Sequence, residues 1–210
     1  MLALSLLTSA CGTLFHSAQE TRGQIVDADT GQPLEGVIVV AQWIPYYAGP
    51  GQKGSIHAYE TVTDSQGRYL IPAWGPKALP AYGQITDADP LLSIFKSGYI
   101  PFVASNTVRS SNAAIYPEQR RTPLGVSEWN EVAIKLKPFK GSDEDFHSRL
   151  LTFRGNFEIE EGMWRNFPRM ILAMDKEDTR LKSALESRKP IYLPIEIKIP
   201  RRMGLKGFEQ

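Results

Sequence analysis

At 210 residues, and with roughly 100 to 200 residues per domain, the chain holds one domain with an appendage or two small ones. Apolar residues make up 42% and charged residues 22%, ordinary globular proportions that supply a buried core and exclude wholesale disorder. The 24 basic and 23 acidic residues leave a net charge of +1, too small for the summed field that gathers nucleic acid or acidic polymers.

Residues 1–10 are uncharged, mostly apolar, and end in small residues directly before Cys11. The run is shorter than the roughly 20 apolar residues that span a bilayer, and it has the apolar region and small-residue cleavage site of an export signal. Leu7-Thr8-Ser9-Ala10-Cys11 resembles the lipobox of bacterial lipoproteins. That resemblance implies a signal peptide over 1–10, lipidation at Cys11, a linker over 11–21 and a membrane partner held through lipid. Gly12, where an Asp would favour inner-membrane retention, implies the outer membrane, facing the periplasm. The alternatives are an ordinary cleaved signal and a buried apolar segment with an incidental thiol. A lone cysteine closes no intrachain disulfide and makes a zinc site with several thiolates impossible.

Short strands separated by turns follow. Gly23–Ala28 is a strand candidate, Asp29-Thr30-Gly31-Gln32-Pro33 is a cluster of turn formers, and the β-branched run from Gly36 to Trp43 is a second strand. The Gly- and Pro-rich stretch from Pro45 to Ser55 is an exposed loop. Tyr59–Thr63 and Arg68–Pro72 flank the turn Asp64-Ser65-Gln66-Gly67, economically a hairpin. Leu91–Phe95, Tyr99–Val103 and the alternation of Val132, Ile134 and Leu136 with charged neighbours complete about seven strands. The expected fold is mainly β, a Greek-key β-sandwich. Residues 104–130 form a long excursion, functional or disordered.

Gly23-x-Ile25-x-Asp27, Thr30-Gly31-x-Pro33-Leu34-x-Gly36-Val37-x-Val39, Thr63-Asp64-x-x-Gly67-x-Tyr69-x-Ile71-Pro72 and Lys96-x-Gly98-Tyr99 stand in that order. The series resembles the carboxypeptidase regulatory-like domain, a transthyretin-like sandwich with a carbohydrate-binding-like fold, over 22–138. Each motif residue has a backbone task. The glycines permit tight turns, Pro33 holds its φ and Asp64 closes its own turn, so the likeness implies a fold more than an activity.

After Pro138 the pattern turns helical, making 139–210 a helical extension with a basic tail. Ser142 before Asp143, Glu144 and Asp145 is a helix start, with Phe146, Leu150, Leu151 and Phe153 as its apolar face. A second stripe runs through Met163, Trp164, Phe167, Met170, Ile171 and Met174 to Leu181 and Leu185, and such stripes are usually packed against the core. Pro168 marks a kink or a helix that starts just before it. Residues 191–199 alternate as an edge strand.

Three histidines, His16, His57 and His147, lie without metal-binding spacing, and no nucleophile elbow or phosphate loop occurs. The stretch from Gly23 through Trp43 to Tyr69 is similar to intradiol dioxygenases, which hold iron through two tyrosines and two histidines. Tyr46, Tyr47 and His57 invite the comparison, but no His-x-His element follows. The Tyr-Arg-Gly-Ser ending of the hydroxyisourate hydrolases is absent too. The expectation is therefore a non-catalytic, cofactor-free lipoprotein of the cell envelope, recognising an envelope protein or glycan through Trp43, Tyr46, Tyr47 and Trp74. The alternative is an envelope hydrolase or metal-dependent enzyme pairing His57 with a carboxylate such as Asp64 or Glu60.

Overall fold

Apolar residues that alternate along short strands close here into two facing sheets. The computed structural model describes residues 15–47, 55–79, 83–85, 89–106, 123–155 and 163–185. Among them, strands β1 (Phe15–Ala18), β2 (Thr21–Asp27), β3 (Ile38–Trp43), β4 (Tyr46–Tyr47) and β5 (His57–Val62) precede β6 (Arg68–Ile71) and β7 (Trp74–Ala78). Strands β8 (Gly83–Gln84), β9 (Leu91–Phe95), β10 (Phe102–Ala104) and β11 (Val132–Leu136) follow, then helices α1 (Asp143–Arg154) and α2 (Pro168–Leu185). One sheet has the order β10-β9-β3-β5 and the other β11-β2-β6, so seven strands form the sandwich. Pairings are antiparallel except β11 with β2. Two ribbons, β1-β7 and β4-β8, are added to it.

The expected hairpin of 59–72 is corrected. Strand β5 pairs with β3 and β6 pairs with β2, so the chain crosses between sheets at the Asp64–Gly67 turn. Backbone contacts with β2 decide this. Ile25 donates to the Gly67 carbonyl at 2.8 Å, and Leu34 donates to the Ile25 carbonyl at 2.9 Å. The turn is thereby tied to the sheet it enters. Two further expectations shift: the supposed linker 11–21 includes β1, and the run 99–103 becomes a strand only at Phe102–Ala104. Tyr99 instead makes an isolated bridge to Pro138 and donates its hydroxyl to Asp27 Oδ2 at 2.9 Å.

Two cores share the four-stranded sheet. Val39, Ala41 and Trp43 of β3 face the other sheet and join Ile25, Tyr69, Ile71, Leu92, Ile94, Ile134 and Leu136. Val40, with Ala58 of β5 and Phe95 of β9, belongs to the opposite face and packs under the helices. Phe146, Leu150 and Phe153 of α1 and Met170, Ile171, Met174 and Leu181 of α2 cover that face, so the helical stripe is core. Leu151 is half-buried, and residues 186–210, with the proposed edge strand at 191–199, lie outside the described residues.

Local signals set the helix ends. Ser142 caps α1 by accepting from the Asp145 N–H, with three acids in the first turn. Helix α2 begins at Pro168, where the missing N–H and fixed φ do no harm. Glu60 of β5 accepts from the backbone N–H groups of Met170 at 2.7 Å and Arg169 at 3.1 Å. Its carboxylate thus answers two orphan donors at the positive end of the helix. Between the helices, Arg154 and Asp178 form a mostly buried ion pair.

Gly67 and Gly31 both have positive φ, 70° and 72°, yet differ in surroundings. A Cβ on Gly67 would collide with the Ile25 carbonyl oxygen and stand 3.0 Å from Leu34 N, whereas one on Gly31 meets nothing within 4 Å. Gly67→Ala is expected to cost about 3 kcal/mol or more and Gly31→Ala about 1 kcal/mol. Urea unfolding of the two variants checks this, and equal midpoints would contradict the sheet-crossing turn.

Candidate functional site

The β1-β7 ribbon brings chemistry to the end of the sandwich where β3 and β5 pair. Strand β3 ends at Trp43 directly opposite His57, the first residue of β5. In the β1-β7 ribbon His16 stands opposite Lys77, and Ala18 opposite Trp74. Gly75, at φ 109°, allows this approach, because a Cβ there would lie 2.6 Å from Ser17 Cα.

Trp74 is the hub. Its ring centroid is 4.6 Å from that of His57, 5.1 Å from Trp43 at 77°, and 5.5 Å from His16. Trp43 and His57 also touch, with centroids 5.5 Å apart. Lys77 Nζ lies 2.9 Å from His57 Nδ1 and 5.4 Å from the centre of the Trp74 ring. An ammonium has only donors, so the short contact makes Nδ1 the acceptor and leaves the hydrogen of a neutral imidazole on Nε2.

Burial and charge act together on this imidazole. Desolvation, and after it the positive charge of Lys77, pushes His57 down to about 4 from its ordinary 6.5. Burial alone lowers His16, which is 9% exposed. Three buried nitrogens in the cluster, His16 Nε2, Trp43 Nε1 and Trp74 Nε1, have no hydrogen-bond partner among the described residues. Such groups are rare in native interiors, and here three fall on Trp74 and two rings that touch it.

The residues expected from sequence are placed as follows. Trp43 is 1% exposed and belongs to the sandwich core, and Trp74 is half-buried. Tyr46 and Tyr47 form β4, paired with β8, and their side chains lie outside the described residues, as does Cys11. The carboxylates considered for His57 are engaged elsewhere. Glu60 holds the start of α2, its carboxyl raised by burial against the pull of the two N–H groups. Asp64 accepts from the Gln66 and Arg68 backbones at 2.9 Å, which keeps its carboxyl low. His147 is buried in α1. No three His, Cys, Asp or Glu side chains gather as a metal-ligand set among the described residues.

Sequence reasoning missed His16 and Lys77, whose proximity depends on the β1-β7 register. A trough of about 890 Å³ runs over the outer face of β11-β2-β6, beside Arg22, Gln24, Arg68 and Leu70. Its guanidinium groups are already matched, Arg22 with Glu20 and Arg68 with Asp64, and of its lining only the Tyr69 hydroxyl is buried without a partner among the described residues, against three such atoms around Trp74.

No family model matches the chain, and no curated protein does. Among solved structures it is similar to a 3-chlorocatechol 1,2-dioxygenase from Rhodococcus opacus, with 17% identity, a TM-score of 0.36, and 59% of this chain against 60% of that one. A chlorocatechol 1,2-dioxygenase from Pseudomonas putida gives 19% identity, a TM-score of 0.31, and coverage of 60% and 61%. The chain thus spans about six-tenths of the length of these solved chains. At this distance their chemistry stays theirs. The expected non-catalytic recognition module, built on Trp43, Tyr46, Tyr47 and Trp74, is nevertheless corrected. The burial of Trp43 gives the physical reason, since it removes one member of the supposed aromatic platform.

The depressed His57 value has a consequence for stability. The unfolded chain takes up its proton near pH 6.5 and the folded one only near 4, so the contribution is whole above 6.5 and is lost as pH falls towards 4. His16 acts in the same direction. Allowing for the partial exposure of His57, acidification from pH 7 to 4.5 should remove about 1–2 kcal/mol through this residue. Urea unfolding across that range should show a shallower decline for His57→Gln; superimposable profiles would refute its burial as a neutral imidazole.

Proposed function

We propose that the protein is a hydrolytic enzyme acting on an acyl bond, with its site at the His16, His57 and Lys77 cluster. One observation carries the reading: a neutral, half-buried imidazole fixed by an ammonium, joined through Trp74 to a second buried imidazole whose Nε2 has no partner among the described residues. Perturbed titratable groups gathered in one place are characteristic of catalytic sites.

The roles follow from the two ring states. His16, neutral through burial, offers Nε2 as general base and takes a proton from water as its oxygen adds to the acyl carbon. The carbonyl oxygen gains negative charge, which His57 Nε2–H and the Lys77 ammonium stabilise. Collapse of the tetrahedral species expels the leaving group, which receives the proton back from His16. Lys77 replaces the carboxylate that more often orients a catalytic histidine, and it selects the opposite tautomer. The full chain, given a panel of p-nitrophenyl acyl esters, should show turnover above buffer. His16→Gln should lower kcat by roughly 100-fold or more, and His57→Gln by a similar factor, with circular dichroism unchanged. A parent without turnover, or two variants as fast as the parent, ends this reading.

Export and lipid anchoring at Cys11, facing the periplasm from the outer membrane, complete the proposal. Their support is the apolar run 1–10 ending in small residues before Cys11. The sandwich is read as carboxypeptidase regulatory-like on its motif series, whose Gly31, Gly36, Gly67 and Gly98 all adopt positive φ. Among the described residues no helix is long and apolar enough to cross a membrane. Cys11→Ser is expected to move the protein from the membrane to the soluble fraction of expressing cells; unchanged partitioning would refute the anchor.

A further inference from the structure

The groups around Trp74 are mostly hydrogen-bond donors, with the buried His16 Nε2 as the acceptor behind them. Lys77 contributes an ammonium, His57 an Nε2–H, and Trp43 and Trp74 buried indole N–H groups that have no partner among the described residues. An indole nitrogen only donates. No carboxylate appears among the ring contacts and hydrogen bonds of these five side chains, His16, Trp43, His57, Trp74 and Lys77, in the described residues. A cation, or a ligand rich in donors, would find little to pair with.

Exposure distinguishes the parts of the site. Lys77 is exposed and His57 and Trp74 are half-buried, whereas Trp43 and His16 are buried behind them. The accessible lip therefore combines a positive charge, a neutral donor and the ring of Trp74. Charged-to-anion hydrogen bonds are the stronger kind, and an aromatic ring offers a flat ligand an apolar surface with preferred stacking geometry.

We propose that the site takes a small, flat organic anion, its oxyanion group against Lys77 and His57 and its planar body against Trp74. Carboxylate and phosphate monoester share the required chemistry, so both classes are included. The inference rests on the reading of this cluster as the hydrolase site, and it specifies what the acyl substrate must carry besides the bond that is cleaved.

The test uses the full ¹⁵N-labelled chain, whose 4 tryptophans give separate indole N–H signals, with Trp74 assigned from a Trp74→Phe spectrum and Trp43 from contacts to His57. Benzoate and phenyl phosphate should shift both signals saturably, and benzamide and benzylamine should bind at least tenfold more weakly. Lys77→Met should weaken benzoate at least tenfold, and Lys77→Arg should largely restore it. If benzoate leaves both signals in place, if benzamide matches benzoate, or if Lys77→Met binds as the parent does, the inference is overturned. Benzoate binding at these indoles without any ester turnover supports the anion site and ends the hydrolase reading. His57-dependent turnover that benzoate and phenyl phosphate fail to inhibit keeps the hydrolase and ends the anion site.

Discussion

Strand β3 has to satisfy two cores at once. Its inward residues Val39, Ala41 and Trp43 fill the space between the sheets, while Val40 on the other face meets the side chains of both helices. Near-continuous apolar character is what a strand covered on both faces requires. The seven-stranded sandwich and the helical layer are consequently one folding unit, because removing the helices would uncover Val40, Ala58 and Phe95 together. Among the described residues the outer face of β11-β2-β6 has no such cover, and there Arg22, Arg68, Ala133 and Lys135 stand exposed.

The same strand leads into the site. Trp43 is its last residue, and it is held in the core by the burial that organises β3. A ring fixed in this way gives Trp74 and His57 a firm surface to pack on, and side chains whose rotamers are locked by packing make more precise sites than those on free loops. Burial also supplies the electrostatics. Desolvation disfavours an imidazolium at His57, and the adjacent Lys77 disfavours it further. Water would otherwise weaken the effect of a neighbouring charge, so a half-buried position is a compromise between strong polarisation and access for a ligand.

Much of the sandwich was legible because its strands alternate and its turns use Asp, Gly and Pro in the places those turns require. Strands β2, β3, β5, β6, β9 and β11 lie close to where the pattern put them. Partnership was harder. A run such as Arg68–Ile71 is equally a hairpin arm or a strand of the opposite sheet, and only the stitching of Gly67 to Ile25 distinguishes them. The site shows the same division. Trp43, His57 and Trp74 could be chosen by residue type, yet His16 sat in a supposed linker. Lys77 lay in Trp74-Gly75-Pro76-Lys77-Ala78, whose Gly and Pro speak against a strand. Glu60 misled for a related reason: its partner, the start of α2, is distant in sequence and close only after the helices dock.

A division of labour between scaffold and ribbons follows from these placements. The seven strands and two helices contain most of the buried apolar residues, while His16, Trp74 and Lys77 belong to the short β1-β7 ribbon added at one end. Changes in that ribbon could alter the ligand groups while leaving both cores intact, whereas changes at Trp43 or Val40 would disturb packing first. This arrangement explains how a fold whose turn motifs have purely backbone tasks can still hold two imidazoles and an ammonium around one indole ring. The unpaired indole and imidazole nitrogens around Trp74 lie where the ribbon meets the core. The cost of burying them is borne by the larger apolar interior, and packing against Trp43 holds the rings around Trp74 in place.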